Sequence, residues 1–331
     1  MTTASLQPTS QPAPAWRRTL SDGAVIITIV YLLLYTVYAI SEPSALSVFS
    51  ISSLINNTAP LALAAAGATL VIICRGFDLS VAGVVSVTNV VMAVQPLEGP
   101  WGALGSLFIC LAIGGFIGLI NGFLVAYLKL QSIASTLGVM IVCQGIALVI
   151  LDAPGGWVAE WVSYELTDVL FGFLPVSGLI LLGVIGLWLL FLRSNLGLAI
   201  YAVGADETSA ALSGIATRRV RLLTYVGAGL LYGCAGYMLS AQTATGNPSA
   251  GTPFIILTFA AVAIGGTSFS GGSGGLIGSM IGAATLMLLQ KVLFSTGVSS
   301  FYTGMFQGLI LILAILFRGS IVALATKGRG G

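Results

Sequence analysis

Few residues of this chain can do chemistry, and they sit in a handful of places. Asp206 and Glu207 open a run from Thr208 to Ser213, Gly214 follows, and Arg218, Arg219 and Arg221 come next. Acids at the start and a glycine just past the end match the preferences of helix termini. The sequence therefore predicts a short helix there, inside a polar segment running from Ser194 to Arg221 among apolar runs. About two turns of helix are marginal alone in water. Seated in a partner's groove they would be stable, with Leu212 as buried anchor and Gly214 as the sharp exit. A solvated loop without a partner is the plainer alternative.

Asp78 lies in Cys74-Arg75-Gly76-Phe77-Asp78-Leu79-Ser80. An ionised Asp in mid-membrane costs about 2.5–3.5 kcal/mol, so it needs a purpose or a wet location. It is expected to cap the following helix through backbone N–H groups and to pair with Arg75; a direct transport role is the alternative. The run Gly265-Gly266-Thr267-Ser268-Phe269-Ser270-Gly271-Gly272-Ser273-Gly274-Gly275 looks like a phosphate cradle. It lacks the Gly-Lys-Ser/Thr of a P-loop, and no Gly-Lys dipeptide occurs in the chain. A tight turn between closely packed helices explains it better.

Other chemistries are poorly served. The chain has no His. Cys74, Cys110, Cys143 and Cys234 lie in or beside apolar runs without metal-ligand spacing, and read as small packing residues. No metal, cofactor, catalytic constellation or nucleic-acid partner is expected. The middles of the apolar runs hold no Asp, Glu or His to relay protons. They hold Asn89, Asn121, Gln144, Ser279 and Thr285. Amides and hydroxyls suit a neutral, hydroxyl-rich solute, so Asn89, Asn121 and Gln144 are pathway candidates. They suit helix–helix hydrogen bonding equally well.

The elements that must position these groups are apolar. Of 331 residues 57% are hydrophobic and 7% charged, with mean hydropathy +1.06. A soluble protein carries about 25% charged residues, so a bilayer must be the solvent here. The net charge of +2 says little about partners. About fifteen polar residues open the chain and read as a tail; Arg17 and Arg18 then precede the first apolar run. Many apolar runs follow, so a retained first span is favoured over a signal peptide or a twin-arginine signal.

Ten runs approach the length of about 20 residues that crosses a bilayer. They are Gly23–Ile40, Thr58–Cys74, Leu79–Val94, Gly102–Leu128, Ile133–Leu151, Ser177–Leu192, Leu222–Ala241, Phe254–Gly265, Leu276–Leu289 and Tyr302–Phe317. Threaded with the N-terminus inside, they put Arg17, Arg18, Arg75, Lys129, Arg193, Arg218, Arg219, Arg221, Arg318, Lys327 and Arg329 in the cytoplasm and only Lys291 outside. That obeys the positive-inside rule. Glu42, Glu98, Asp152, Glu160, Glu165 and Asp168 fall outside. Trp157, Trp161 and Tyr164 share the long outer loop Asp152–Pro175 with four of these acids, as an interfacial helix or a docking surface for an extracytoplasmic partner. Ile117-Gly118-Leu-Ile-Asn-Gly is echoed by Ile277-Gly278-Ser-Met-Ile-Gly five spans later. An odd offset reverses direction, the signature of an inverted repeat. The expected fold is an all-α polytopic membrane protein of about ten helices, an inverted five-helix repeat with both termini cytoplasmic. Its expected parts are a tail to residue 22, one permease domain over 23–318 and a tail from 319.

Three motifs carry a resemblance. They are Gly76-Phe77-Asp78-Leu79-Ser80-Val81, Tyr201-Ala-Val-Gly204-Ala-Asp206-Glu207 with Ala211-Leu212-Ser213-Gly214-Ile215, and Ala261-Val-Ala-Ile-Gly265-Gly266-Thr-Ser-Phe-Ser-Gly271-Gly272. From about Ile51 to Phe317 the chain resembles the membrane permease subunits of ribose-type ABC importers. The resemblance implies a multi-pass protein of the bacterial inner membrane that is not itself an enzyme. It implies a cytoplasmic ABC ATPase seated on the helix of Asp206, Glu207, Ala211, Leu212, Ser213 and Gly214. It also implies a periplasmic sugar-binding protein and a second permease subunit, identical or paralogous. The solute would be a monosaccharide or related polyol. Arg75 stands where that family commonly has Gly, Pro253–Thr258 lacks the acids often found there, and the family's Arg in the Gly-rich turn is replaced near Ser273. A secondary transporter or channel working alone is the rival reading; a membrane-embedded enzyme lacks any residues to support it.

Overall fold

The computed structural model describes residues 22–295 and, beyond them, 297, 302, 305, 308 and 309. Long apolar runs become helices because a helix satisfies its own backbone N–H and C=O groups where no water can. The first half comprises α1 (Asp22–Ser41), α2 (Val48–Ile73), α3 (Val81–Val94), α4 (Gly99–Ala126) and α5 (Ser132–Ile150). Then come α6 (Glu160–Glu165) and a small hairpin, β1 (Val169–Leu170) with β2 (Leu174–Pro175). α7 (Val176–Phe191), α8 (Asn195–Ala205), α9 (Glu207–Leu212), α10 (Thr217–Thr243), α11 (Phe254–Ile264) and α12 (Leu276–Ser295) follow. The tenth apolar run falls almost wholly outside the described residues, as do 1–21 and 319–331.

By length and composition six described helices can cross a membrane: α1, α2, α4, α5, α10 and α12. α7 passes only together with α8, from which it is bent by 78°, giving at most seven. α3 and α11, with 14 and 11 residues, are shorter than the expected spans. Non-helical chain takes over part of their depth. Before α11 the stretch 245–253 runs down alongside α3, where Asn247 N–H donates to Asn89 Oδ1 at 2.7 Å and Gly251 N–H to Ser86 Oγ at 3.0 Å. Irregular backbone is tolerated at membrane depth only where protein or a wet cavity covers it.

The expected polar loop over Ser194–Arg221 is largely helical. Ser194 Oγ accepts from Gly197 N–H at 3.1 Å and starts α8, which is apolar along most of its length. Only 206–216 is polar chain outside the two longer helices.

Contacts sort the connections to two ends. At one end Gly155 and Gly246 form a bridge, Glu160 N–H donates to Glu98, and Lys291 Nζ donates to Ser50 O at 3.0 Å. At the other, Phe77 N–H donates to Ser132 Oγ, Gly272 N–H to Ile73 O, and Arg221 pairs with Glu207. This second end holds Arg75, Lys129, Arg193, Arg218, Arg219 and Arg221. The first holds Glu42, Glu98, Asp152, Glu160, Glu165 and Asp168.

α2 and α10 form the centre, and most of α2 is buried. α10 lies against α4 so closely that a Cβ on Gly114 would come 2.1 Å from Gly229 O. Glycine alone permits that approach, and close backbone packing is what drives helix association in lipid. Leu33, Phe108, Val149 and Leu190 are exposed on the outer helices, a surface only lipid or protein can cover.

Candidate functional site

The helix expected over Thr208–Ser213 is α9, set one residue earlier. Asp206 is its N-cap: the backbone is extended there, and Oδ1 accepts from Ser209 N–H at 2.7 Å. That backbone hydrogen bond holds the Asp206 carboxyl below its usual range. Glu207 pairs with Arg221 Nη2 at 2.6 Å, fastening the first turn of α9 to the start of α10. Gly214, at φ +83°, closes the helix: its N–H reaches Ala211 O and the next N–H reaches Ala210 O. This is the Schellman arrangement, with glycine in the left-handed position. Ala210 is buried underneath, whereas Ala211, Ser213 and above all Leu212, 85% exposed, face away. A leucine held outward on a doubly capped, ion-paired helix has the form of an unfilled contact.

α8 ties α9 to the rest of the molecule. A Cβ on Gly204 would lie 1.8 Å from Ile73 O and 2.8 Å from Gly272 N. Gly272 N–H itself donates to Ile73 O at 2.8 Å. The ends of α2 and α8 and the glycine-rich turn thus meet backbone to backbone. Gly271 and Gly272 adopt φ +82° and +69°, and a Cβ on Gly265 would come 2.4 Å from Gly278 O. Gly266, at φ +85°, abuts Gly23 of α1. The tight-turn expectation for this segment describes what is found.

Asp78 and Arg75 do not pair. Arg75 is exposed and its Nε donates to Ser270 O at 2.7 Å. Asp78 is buried and its Oδ1 accepts from Ser80 N–H at 3.0 Å, Ser80 Oγ at 2.6 Å and Asn121 Nδ2 at 3.4 Å. It closes the turn that leads into α3 rather than capping the helix itself, whose N-cap is Ser80. Arg75 takes a left-handed conformation (φ +62°) and its side chain leaves toward the glycine-rich turn, away from Asp78.

The mid-span amides do not converge. Asn89 binds Ser240 Oγ at 3.0 Å, Thr245 O at 3.2 Å and Asn247 N–H, clamping the non-helical stretch before α11. Asn121 donates to Ser80 Oγ at 2.8 Å. Ser279 accepts from Thr69 Oγ1 at 2.6 Å, and Thr285 donates to Ile281 O. Gln144 is half-buried on α5, and its side chain makes no hydrogen bond among the described residues. A different set of polar groups does gather. At the acidic end a cleft of about 690 Å³ opens between α2, α10, α11 and α12, lined by Asn57, Gln242, Gln290 and Lys291 above Leu61, Phe254 and Leu257. Gln242 donates to Asn57 across it. The signal available in the sequence was polar residues at the outer ends of runs, Asn56-Asn57 and Gln290-Lys291, rather than at their centres. Among the described residues no three metal-ligating side chains gather.

Residues 50–315 match the family described as branched-chain amino acid transport system / permease component. The chain is 31% identical over 298 residues to the ribose import permease protein RbsC of Escherichia coli (strain K12), covering 87% of this chain and 91% of that one. It is 33% identical over 287 residues to RbsC of Bacillus subtilis (strain 168), with 86% and 89% covered. It is 27% identical over 321 residues to the galactose/methyl galactoside import permease protein MglC of Escherichia coli (strain K12), with 89% and 93% covered. No solved structure matches the chain.

Proposed function

The chain belongs to the family of branched-chain amino acid transport system permease components, and from that premise we propose that it carries a monosaccharide or related polyol into the cytoplasm. It is a multi-pass membrane permease component of the bacterial ABC-importer kind and is not itself an enzyme. Ribose and galactose appear in the names of its relatives; the cleft of Asn57, Gln242 and Gln290 supports a solute of that neutral, hydrogen-bonding type. A cytoplasmic ABC ATPase drives the cycle, a periplasmic binding protein delivers the solute at the acidic end, and a second permease subunit completes the pathway.

The observation that carries this reading is α9. It stands at the basic end, which the positive-inside rule makes cytoplasmic, and it presents Leu212 outward from a rigid, capped helix. We read it as the helix that enters a groove of the ATPase. Ten spans with both termini cytoplasmic follow if α3, α7 and α11 each count as a span and the run 302–317 crosses once more. The packing supports an inverted repeat: α4 lies along α10 as α12 lies along α2, and α3 packs on α10 as α11 packs on α2.

The test is uptake of a panel of labelled monosaccharides and polyols into proteoliposomes. With the ATPase, the binding protein and ATP present, at least one of them should accumulate; with ATP omitted, none should. Uptake by the permease alone under a proton gradient would overturn the reading in favour of a secondary transporter.

A further inference from the structure

A second cavity lies at the basic end and has no part in the solute cleft. It encloses about 210 Å³ between the end of α2, the junction of α4 with α5, and the start of α10. Arg75, Gly76, Gln131, Ser132, Arg221 and Tyr225 line it. Two arginines in the lining of one small pocket bring positive charge to it, which an anion would balance. Glu207 is the carboxylate at hand. It engages only Nη2 of Arg221, and Arg221 Nε is buried without a hydrogen-bond partner among the described residues.

The backbone around the cavity suits an anion. α5 begins here: Gln131, its N-cap, and Ser132 line the pocket, and no side chain caps this positive end of a 19-residue helix. The negative end of α2 is covered: the carbonyls of Val71, Ile72 and Ile73 already accept from Gly76, Arg75 and Gly272. Arg75 is the C′ residue of α2 and sits at φ +62°, where a side chain is strained and glycine is at ease. A strained residue kept at such a position points to a function for its side chain.

We propose that this cavity binds a phosphate group, held by the Arg75 and Arg221 guanidinium groups and the N-terminus of α5. The planar guanidinium fork matches phosphate oxygens bidentately. The group belongs either to a soluble phosphate in the cytoplasm or to the headgroup of an anionic lipid at the membrane surface. A bound anion competes with Glu207 for Arg221, the ion pair that fastens α9. Occupancy would therefore loosen α9, a consequence that rests on the coupling role proposed above; binding itself does not.

Binding is measured on the permease alone, in nanodiscs of phosphatidylcholine, so that failure of the coupling reading leaves the result intact. In one arm inorganic phosphate and glycerol phosphate are titrated by calorimetry. In the other, phosphatidylglycerol is added to the disc and retained lipid is counted by native mass spectrometry. One phosphate group per chain should bind in at least one arm, and the arm identifies its source. Arg75→Gly removes a guanidinium and relieves the backbone strain; Gln131→Glu places a carboxylate in the wall. Each should weaken binding about ten- to a hundred-fold. No binding in either arm, or equal binding by both variants and the wild type, would overturn the proposal.

Discussion

Leu212→Asp should abolish co-purification of the ATPase while leaving the permease folded. The side chain is 85% exposed in the free chain, so its replacement should change permease stability by no more than about 0.5 kcal/mol. In a partner's groove the balance is different. Burying a leucine contributes about 1.5–3 kcal/mol, and burying an unpaired carboxylate in its place costs several more. A combined loss of about 4 kcal/mol weakens association about a thousand-fold. The expected result is a monodisperse permease at wild-type yield, without bound ATPase and without uptake. Leu212→Met, similar in volume and polarity, should keep both. Full uptake by the Asp variant would remove α9 from the coupling role.

Gly204→Val should separate ATP hydrolysis from uptake. The new Cβ would lie 1.8 Å from Ile73 O, and that atom is backbone, so α8 must move off α2. The hydrogen bond from Gly272 to Ile73, 2.8 Å long, is then strained or lost. Overpacking of this kind costs about 1–3 kcal/mol, and the lost bond about 1 kcal/mol more. Leu212 and the outer face of α9 are untouched, so the ATPase should still bind and hydrolyse ATP. Uptake per ATP should fall at least about ten-fold, because motion of α9 no longer reaches α2 and the cleft it lines. Gly214→Ala makes the contrast. Nothing lies within 4 Å of a Cβ there, so only the φ of +83° opposes it, at about 1 kcal/mol. Uptake per ATP at the wild-type level in Gly204→Val would show that the three-way backbone junction transmits nothing.

What could be read from the residues alone follows from the range of the forces involved. Apolar runs gave helices because lipid leaves the backbone no other choice, and α9 was legible because Asp206, Glu207 and Gly214 mark the two ends of a helix only about two turns long. The same local logic failed at Ser194. A stretch with polar flanks reads as a loop, yet 195–205 is an apolar helix capped by Ser194. Asp78 and Arg75 are three residues apart and of opposite charge, but a left-handed backbone at Arg75 turns one side chain to Ser270 while Asp78 closes its own turn. Asn89 looked like a pathway residue because amides are rare in spans. Its partners, Ser240, Thr245 and Asn247, are about 150 residues away, and no periodicity announces such a contact. The cleft at Asn57, Gln242, Gln290 and Lys291 was hidden for the same reason: four helices supply it, and only their packing brings those polar ends together.

The central claim is that α9 enters an ATPase. A photo-reactive amino acid placed at Leu212 in cells carrying the permease, its ABC ATPase and the binding protein tests that contact directly. Irradiation should give a covalent permease–ATPase product in high yield, and the same probe at Ser163, on the acidic end, should give none. Transport-competent cells in which the Leu212 probe links only to lipid or to the permease itself would contradict the account.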